Sequence, residues 1–259
     1  MAVLDLRHIS LAFHPDPASE TVVFRDFSFS VEKGSFVSVV GSNGSGKTTL
    51  LNLIAGALTP DNGQVLLSGR DITAWPEHRR AARIARVFQD PARGVAGRMT
   101  VAENLALAAA KGGRYDLRPA LAREDGERFR ALLAPLGLGL EDKLTTPAGA
   151  LSGGQRQVLS LLMATMTEAE LLLLDEHTAA LDPKTADMVM ALTDRLVRER
   201  GLTALMVTHN LRYATEYGDR LVMLHEGACV LDVSGEEKRA TGVPDVLDLF
   251  NRISVECGN

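Results

Sequence analysis

A chain of 259 residues that is 46% hydrophobic and 24% charged can build a substantial core, which excludes a disordered polymer and suits one large α/β domain or two small ones. Its formal net charge of −5 excludes a broad nucleic-acid surface. Cys229 and Cys257 have no C-x-x-C or metal-ligand spacing and are expected to be free thiols, the N-terminal Met-Ala-Val-Leu-Asp carries no secretory pattern, and no apolar run reaches the ~20 residues that span a bilayer.

In chain order, residues 3–40 read as strands. Leu4, Leu6, Ile9, Leu11 and Phe13 alternate only in part; His14 to Ser19 reads as a turn or loop; Phe24, Phe27, Phe29 and Val31 form a half-buried strand, and Phe36 to Val40 a fully buried one. Thr48 to Leu58 is apolar on most sides, as in a helix packed deep against a sheet, with Gly56 inside it at some cost in propensity. Pro60-Asp61-Asn62-Gly63 is a turn, and Val65–Leu67 and Ile84–Phe88 are short strands. From Asp90 to about Ala150 alanine, leucine and arginine dominate, with helices expected over 101–110 and 124–136, so that a helical subdomain interrupts an α/β core. Leu171–Leu174 is a strand. Pro183–Arg200 is a helix with Asp182 as N-cap and Gly201 just past its end. Thr203–Thr208 is a strand, and Leu221–His225 with Cys229–Val233 form a hairpin around Glu226-Gly227. The last stretch, 234–259, is charged and partly helical around Val246–Phe250.

Three segments carry chemistry. Gly41-Ser42-Asn43-Gly44-Ser45-Gly46-Lys47-Thr48-Thr49 fits G-x-x-x-x-G-K-[ST] and lies between a buried strand and an apolar helix. Its glycines allow a path that turns backbone N–H groups toward an anion, the helix adds its dipole, Lys47 reaches β- and γ-phosphates, and the Thr48 hydroxyl can bind Mg²⁺. Asp175 and Glu176 emerge at the C-terminal end of an apolar strand, where open α/β sheets bind ligands. Leu151-Ser152-Gly153-Gly154-Gln155 has capping-box spacing at Ser152 and Gln155, so the helix that follows begins as a second anion site.

The phosphate loop, then LSGGQ, then the leucine strand ending in Asp-Glu resemble, over Leu4 to about Val233, the ATP-binding-cassette (ABC) ATPases, whose own motif is LSGGQ. The resemblance implies an α/β fold: a P-loop NTPase core of ABC type with a β-rich N-terminal subdomain and a helical insertion. It implies one cassette over 1–259, with core 1–89 and 151–233, helical subdomain 90–150 and C-terminal extension 234–259. The cofactors implied are ATP and Mg²⁺. Asp175 corresponds to a residue binding the metal through water, Glu176 to the general base that polarises the attacking water, and Gln89 to a glutamine touching metal and water. His209 matches the switch histidine that bonds the γ-phosphate. Read alone, Gln89 is a polar loop residue and His209 an ordinary histidine after a strand. Phe13 reads either as core or as the family's aromatic on adenine. Asp182 matches a loop crossing the dimer interface, compatibly with its capping role.

In the family, Ser152, Gly153, Gly154 and Gln155 would meet the γ-phosphate of ATP held by a second copy, making a head-to-tail homodimer around two ATP. The other partners implied are transmembrane permease subunits and an extracytoplasmic solute-binding protein, with this chain peripheral at the cytoplasmic face of the cell membrane. His177 stands where the family usually has proline, either tuning Glu176 or as a tolerated loop substitution. The run from Asp175 to Pro183, DEHTAALDP, resembles importer-type ATPases linked to tryptophan and tyrosine uptake. The alternatives are an exporter of lipid, lipoprotein or drug, and a non-transport ABC ATPase acting on DNA or ribosomes; the latter class tends to carry coiled-coil insertions or tandem cassettes, which this sequence lacks.

Overall fold

The computed structural model describes residues 1–16, 19–111 and 125–256. The fold is mixed α/β, as expected, and divides into two compact units, Met1–Pro76 with Leu202–Asn259, and Glu77–Gly201.

The first unit opens with β1 (Ala2–Asp16) and β2 (Ser19–Glu32), paired antiparallel. Their broken alternation has a local cause. Leu6 pairs with Phe29, Ile9 with Phe27 and Leu11 with Phe24, so β1 carries one extra residue and then β2 does. His8 and Asp26 sit in these bulges with φ of 51° and 53°, and His8 Nδ1 lies 2.7 Å from Asp26 Oδ1. Each bulge resets the period, so Leu4, Leu6, Ile9, Leu11, Phe24, Phe27, Phe29 and Val31 are all buried. The expected loop at 14–19 is shorter, because strand continues through Asp16 and resumes at Ser19; residues 17 and 18 lie outside the described residues.

β3 (Phe36–Gly41) is buried throughout except at its last residue and runs into α1 (Lys47–Ala55). Gly56 does not lie inside that helix but ends it: its φ is 84° and its N–H reaches Asn52 O at 3.0 Å, a left-handed cap that the sequence pattern hid. β4 (Asn62–Leu67) pairs with β1, and β5 (Arg70–Asp71) with β4, completing the antiparallel sheet β2-β1-β4-β5.

The second unit comprises α2 (Glu77–Arg80), β6 (Ile84–Val87), α3 (Val101–Ala109), α4 (Asp125–Leu133), α5 (Gly153–Thr165), β7 (Leu171–Asp175) and α6 (Pro183–Glu199). The helix expected over 124–136 begins outside the described residues and tightens into a 3₁₀ turn at Ala134–Leu136. β6 and β7 are parallel, with Val87 level with Leu174, and Leu171–Leu174 are at most 2% exposed. On α6, Ala186, Val189, Met190, Thr193, Leu196 and Val197 recur at helical spacing and form its buried stripe.

The chain then returns to the first unit through β8 (Ala204–Val207), α7 (Leu211–Glu216), β9 (Arg220–His225) and β10 (Ala228–Ser234). β3 lies between β8 and β9, parallel to both, and β9–β10 is the expected hairpin. The last stretch is more helical than its composition suggested: α8 (Gly235–Ala240) and α9 (Val243–Glu256). Distant partners fix them. Lys238 Nζ donates to Thr215 O, Tyr217 O and Gly218 O at 2.7–3.0 Å, and Val246 packs with Val40, Leu221 and Met223. Among the described residues no helix is long and apolar enough to cross a membrane.

Candidate functional site

In the first unit, the chemistry gathers at the C-terminal end of β3. A Cβ on Gly41 would lie 2.3 Å from Leu224 O, and Gly46 has φ 102° with its missing Cβ 2.9 Å from Phe24 Cζ. Neither position accepts a side chain without distortion, which is why the loop is glycine-rich where it turns. Ser42, Asn43 and Gly44 are exposed, Ser45 and Gly46 are buried, Thr48 is exposed and Thr49 half-buried. The Lys47 ammonium bends back over the loop, donating to Gly41 O and Ser42 O at 2.8 Å each, and only 7% of the residue is exposed. Gly227 N, at the tip of the β9–β10 hairpin, donates to Ser45 O at 3.2 Å and ties that hairpin to the loop.

Val39 is level with Val207 and Thr208 N donates to Val39 O, so exposed His209 emerges beside Gly41 at the same strand ends. Phe24, against Gly46, pairs with Leu11, and Phe13 stands two residues further along β1. Phe13 is 40% exposed, so of its two readings the core one fails.

In the second unit, β7 ends in Asp175, and Arg86 Nη2 on β6 donates to Asp175 Oδ2 at 2.6 Å. Glu176 follows with φ 44°, a left-handed conformation unfavourable for a residue with a side chain. From the parallel register, exposed Gln89 stands level with Glu176. Gln157 on α5, fully buried, donates through Nε2 to Phe88 O at 3.2 Å and so fixes the residue before Gln89. Sequence reading passed over Arg86 and Gln157. The signal for Arg86 was a cation inside an apolar strand; that for Gln157 was no more than its place on the signature helix.

His177 is not a free loop substitution. It is 2% exposed, and its Nε2 lies 3.0 Å from Thr193 Oγ1 on α6. Thr193 spends its own proton on Val189 O at 2.8 Å, so Nε2 carries the hydrogen and donates. Burial pushes the His177 pKa down to about 4, from an ordinary value near 6.5. A depressed base binds its proton more weakly in the folded chain than in the unfolded one. Stability is therefore full above pH 6.5 and falls as pH drops toward 4, by about 2 kcal/mol at pH 5. Chemical denaturation at pH 7.5 and pH 5 should show this loss in the wild type and not in His177→Gln; equal pH dependence of the two would contradict the assignment.

The expected capping box is present at the start of α5. Ser152 Oγ accepts from Gln155 N, and Gln155 Oε1 accepts from Ser152 N, both at 3.2 Å. Gln155 also accepts from Lys143 Nζ at 3.1 Å and donates to Leu138 O at 3.0 Å, so its side chain holds the helix start in place. The N–H groups of Gly153 and Gly154 open a 13-residue helix and have no preceding carbonyl within it to bond, the feature that makes a helix start attractive to an anion. Asp182 caps α6 and accepts from Thr185 N at 3.1 Å; the Thr185 hydroxyl and N–H hold its carboxyl below the usual range.

The ABC transporter family model matches residues 24–179. Over 249 residues the chain is 47% identical to a tyrosine transport ATP-binding protein of Clostridioides difficile (strain R20291), covering 96% of this chain and 98% of the relative. It is 40% identical over 213 residues to a phosphonates import ATP-binding protein of Alcaligenes faecalis, covering 79% of this chain and 75% of that one. Of solved structures, an ATP-binding cassette of an ABC transporter in its ADP conformation aligns with a TM-score of 0.76 at 28% identity over 100% of both chains. A dimeric cassette in a post-hydrolysis state, bound to ADP and Pi, aligns with a TM-score of 0.74 at 26% identity over 89% of this chain and 98% of that one.

Proposed function

We propose, from the premise that the chain belongs to the ABC transporter family as an ATP-binding cassette, that this ATPase is the motor of an importer: two copies clamp two ATP head to tail and move solute through separate membrane subunits. The observation that carries the reading is that the chain offers two helix starts suited to an anion, the loop before α1 and the capped start of α5, for one triphosphate. Two copies arranged head to tail let each ATP use the loop of one chain and the helix start of the other. A similar cassette that is dimeric and bound to ADP and Pi supports the pairing of two copies.

Within each site, residues 41–49 cradle the phosphates and Lys47 neutralises them, Phe13 stacks on the adenine, and Ser152 to Gln155 of the second copy close over the γ-phosphate. Asp182 borders the joint. Glu176 takes the proton of the attacking water, while Gln89 and His209 hold that water and the γ-phosphate in line. The donors offered to a metal, the Thr48 hydroxyl, the Gln89 amide oxygen and the Asp175 carboxylate, are hard oxygens. Among the described residues no cluster of three or more His, Cys, Asp or Glu could hold an ion by itself. That set fits Mg²⁺, which keeps waters and binds chiefly through phosphate. When bound, Mg²⁺ offsets the charge developing on the phosphates.

The chain works at the cytoplasmic face of the membrane, with permease subunits and an extracytoplasmic solute-binding protein. The tyrosine-transport relative, together with DEHTAALDP, points to an aromatic amino acid as cargo. Ser152→Arg tests the shared site: it should leave ATP binding intact and block hydrolysis. Mixed with Lys47→Ala it should recover part of the activity, since a mixed dimer rebuilds one intact site. Full-rate hydrolysis by Ser152→Arg alone would overturn the head-to-tail model and leave LSGGQ a structural cap.

A further inference from the structure

Arg86 is a cation inside an otherwise apolar strand, between Ala85 and Val87, which are 2% and 0% exposed. Its side chain is 12% exposed and that of its partner Asp175 is 15% exposed, so water screens the 2.6 Å pair only in part. The guanidinium is held from a second side, with its carbon 5.0 Å from the centre of the Phe88 ring, over which Arg93 also lies at 4.6 Å. Phe88 is in turn fixed by Gln157. The register explains the reach: Arg86 is level with Leu173, and Asp175 is the next residue of β7 on that face. Arg86 is therefore locked onto the Asp175 carboxylate by its strand, by a ring and by the ion pair itself.

We propose that Arg86 is the resident counter-ion of Asp175 and sets the Mg²⁺ requirement of the site. This rests on the reading of Asp175 as a metal ligand. A carboxylate already paired with a half-buried guanidinium attracts a dication weakly, and the guanidinium repels the ion as it approaches. The metal then gains a foothold only with the charge of nucleotide phosphates beside it. Arg86 is a positioning residue in this scheme; it touches neither substrate nor reacting atoms.

The test is ADP binding by calorimetry over a series of free MgCl₂ concentrations, which reads metal linkage without turnover. In Arg86→Met the Mg²⁺ midpoint should fall roughly tenfold, in Arg86→Lys it should stay near wild type, and in Asp175→Asn it should rise. If Asp175→Asn shifts the midpoint and Arg86→Met does not, or raises it, Arg86 is packing alone and the proposal is overturned. If Asp175→Asn leaves the midpoint unchanged, the metal-ligand reading fails and the proposal with it. Should Arg86→Met not fold, as judged by its thermal melt, Arg86→Gln, neutral but still polar, is read by the same criteria.

Discussion

Glu176→Gln is expected to lower steady-state ATP hydrolysis by at least about 100-fold, the lower end of what a positioned general base contributes. The amide keeps the size of the carboxylate and the same backbone demands, including the φ of 44° that any non-glycine residue meets at this position. What it loses is the capacity to take a proton. ATP binding should persist, and if ATP holds two copies together as proposed, the variant should elute as a dimer on size-exclusion chromatography with ATP. Wild-type turnover in this variant would remove Glu176 from the mechanism.

Lys47→Ala should act one step earlier, on binding itself. The ammonium lies among Gly41 O, Ser42 O and Ser45 Oγ, on the loop whose N–H groups would face the phosphates. Deleting it removes charge-assisted hydrogen bonds and should cost about 2–4 kcal/mol, or roughly 30- to 1,000-fold in Kd for ATP by calorimetry. Unchanged affinity with an intact fold would contradict the phosphate-loop assignment.

The features legible in the sequence are those whose cause is local. The capping pair Ser152–Gln155, Asp182 before Pro183, the strand ending at Asp175 and the Glu226-Gly227 hairpin each involve residues a few positions apart. The β1–β2 bulges were half visible: the steps of three from Leu6 to Ile9 and from Phe24 to Phe27 each broke the alternation, but that the two breaks answer one another is fixed only by the pairing of the strands. Gly56 was misplaced because a left-handed cap and a tolerated helix glycine have the same sequence environment. The unread contacts join distant positions. Arg86 and Asp175 are 89 residues apart, Gln157 and Phe88 69. His177 looked like loop because the burial that governs it comes from α6.

The neighbours of β3 have a consequence for the order of synthesis. Residues 36–41 leave the ribosome early, yet the strands that flank them are residues 204–207 and 220–225, and the loop after them is tied down by Gly227. At ~5–20 residues per second, the apolar run Phe36–Val40 waits roughly 10–30 s for its first partner. During that time it is a bare strand with two open edges, which is what holdase chaperones bind and what aggregates when they are scarce. Nucleotide cannot rescue this interval, since the cradle it would stabilise does not yet exist. A chain interrupted before about residue 204 carries every residue of the phosphate loop behind a strand that lacks both of its flanking partners.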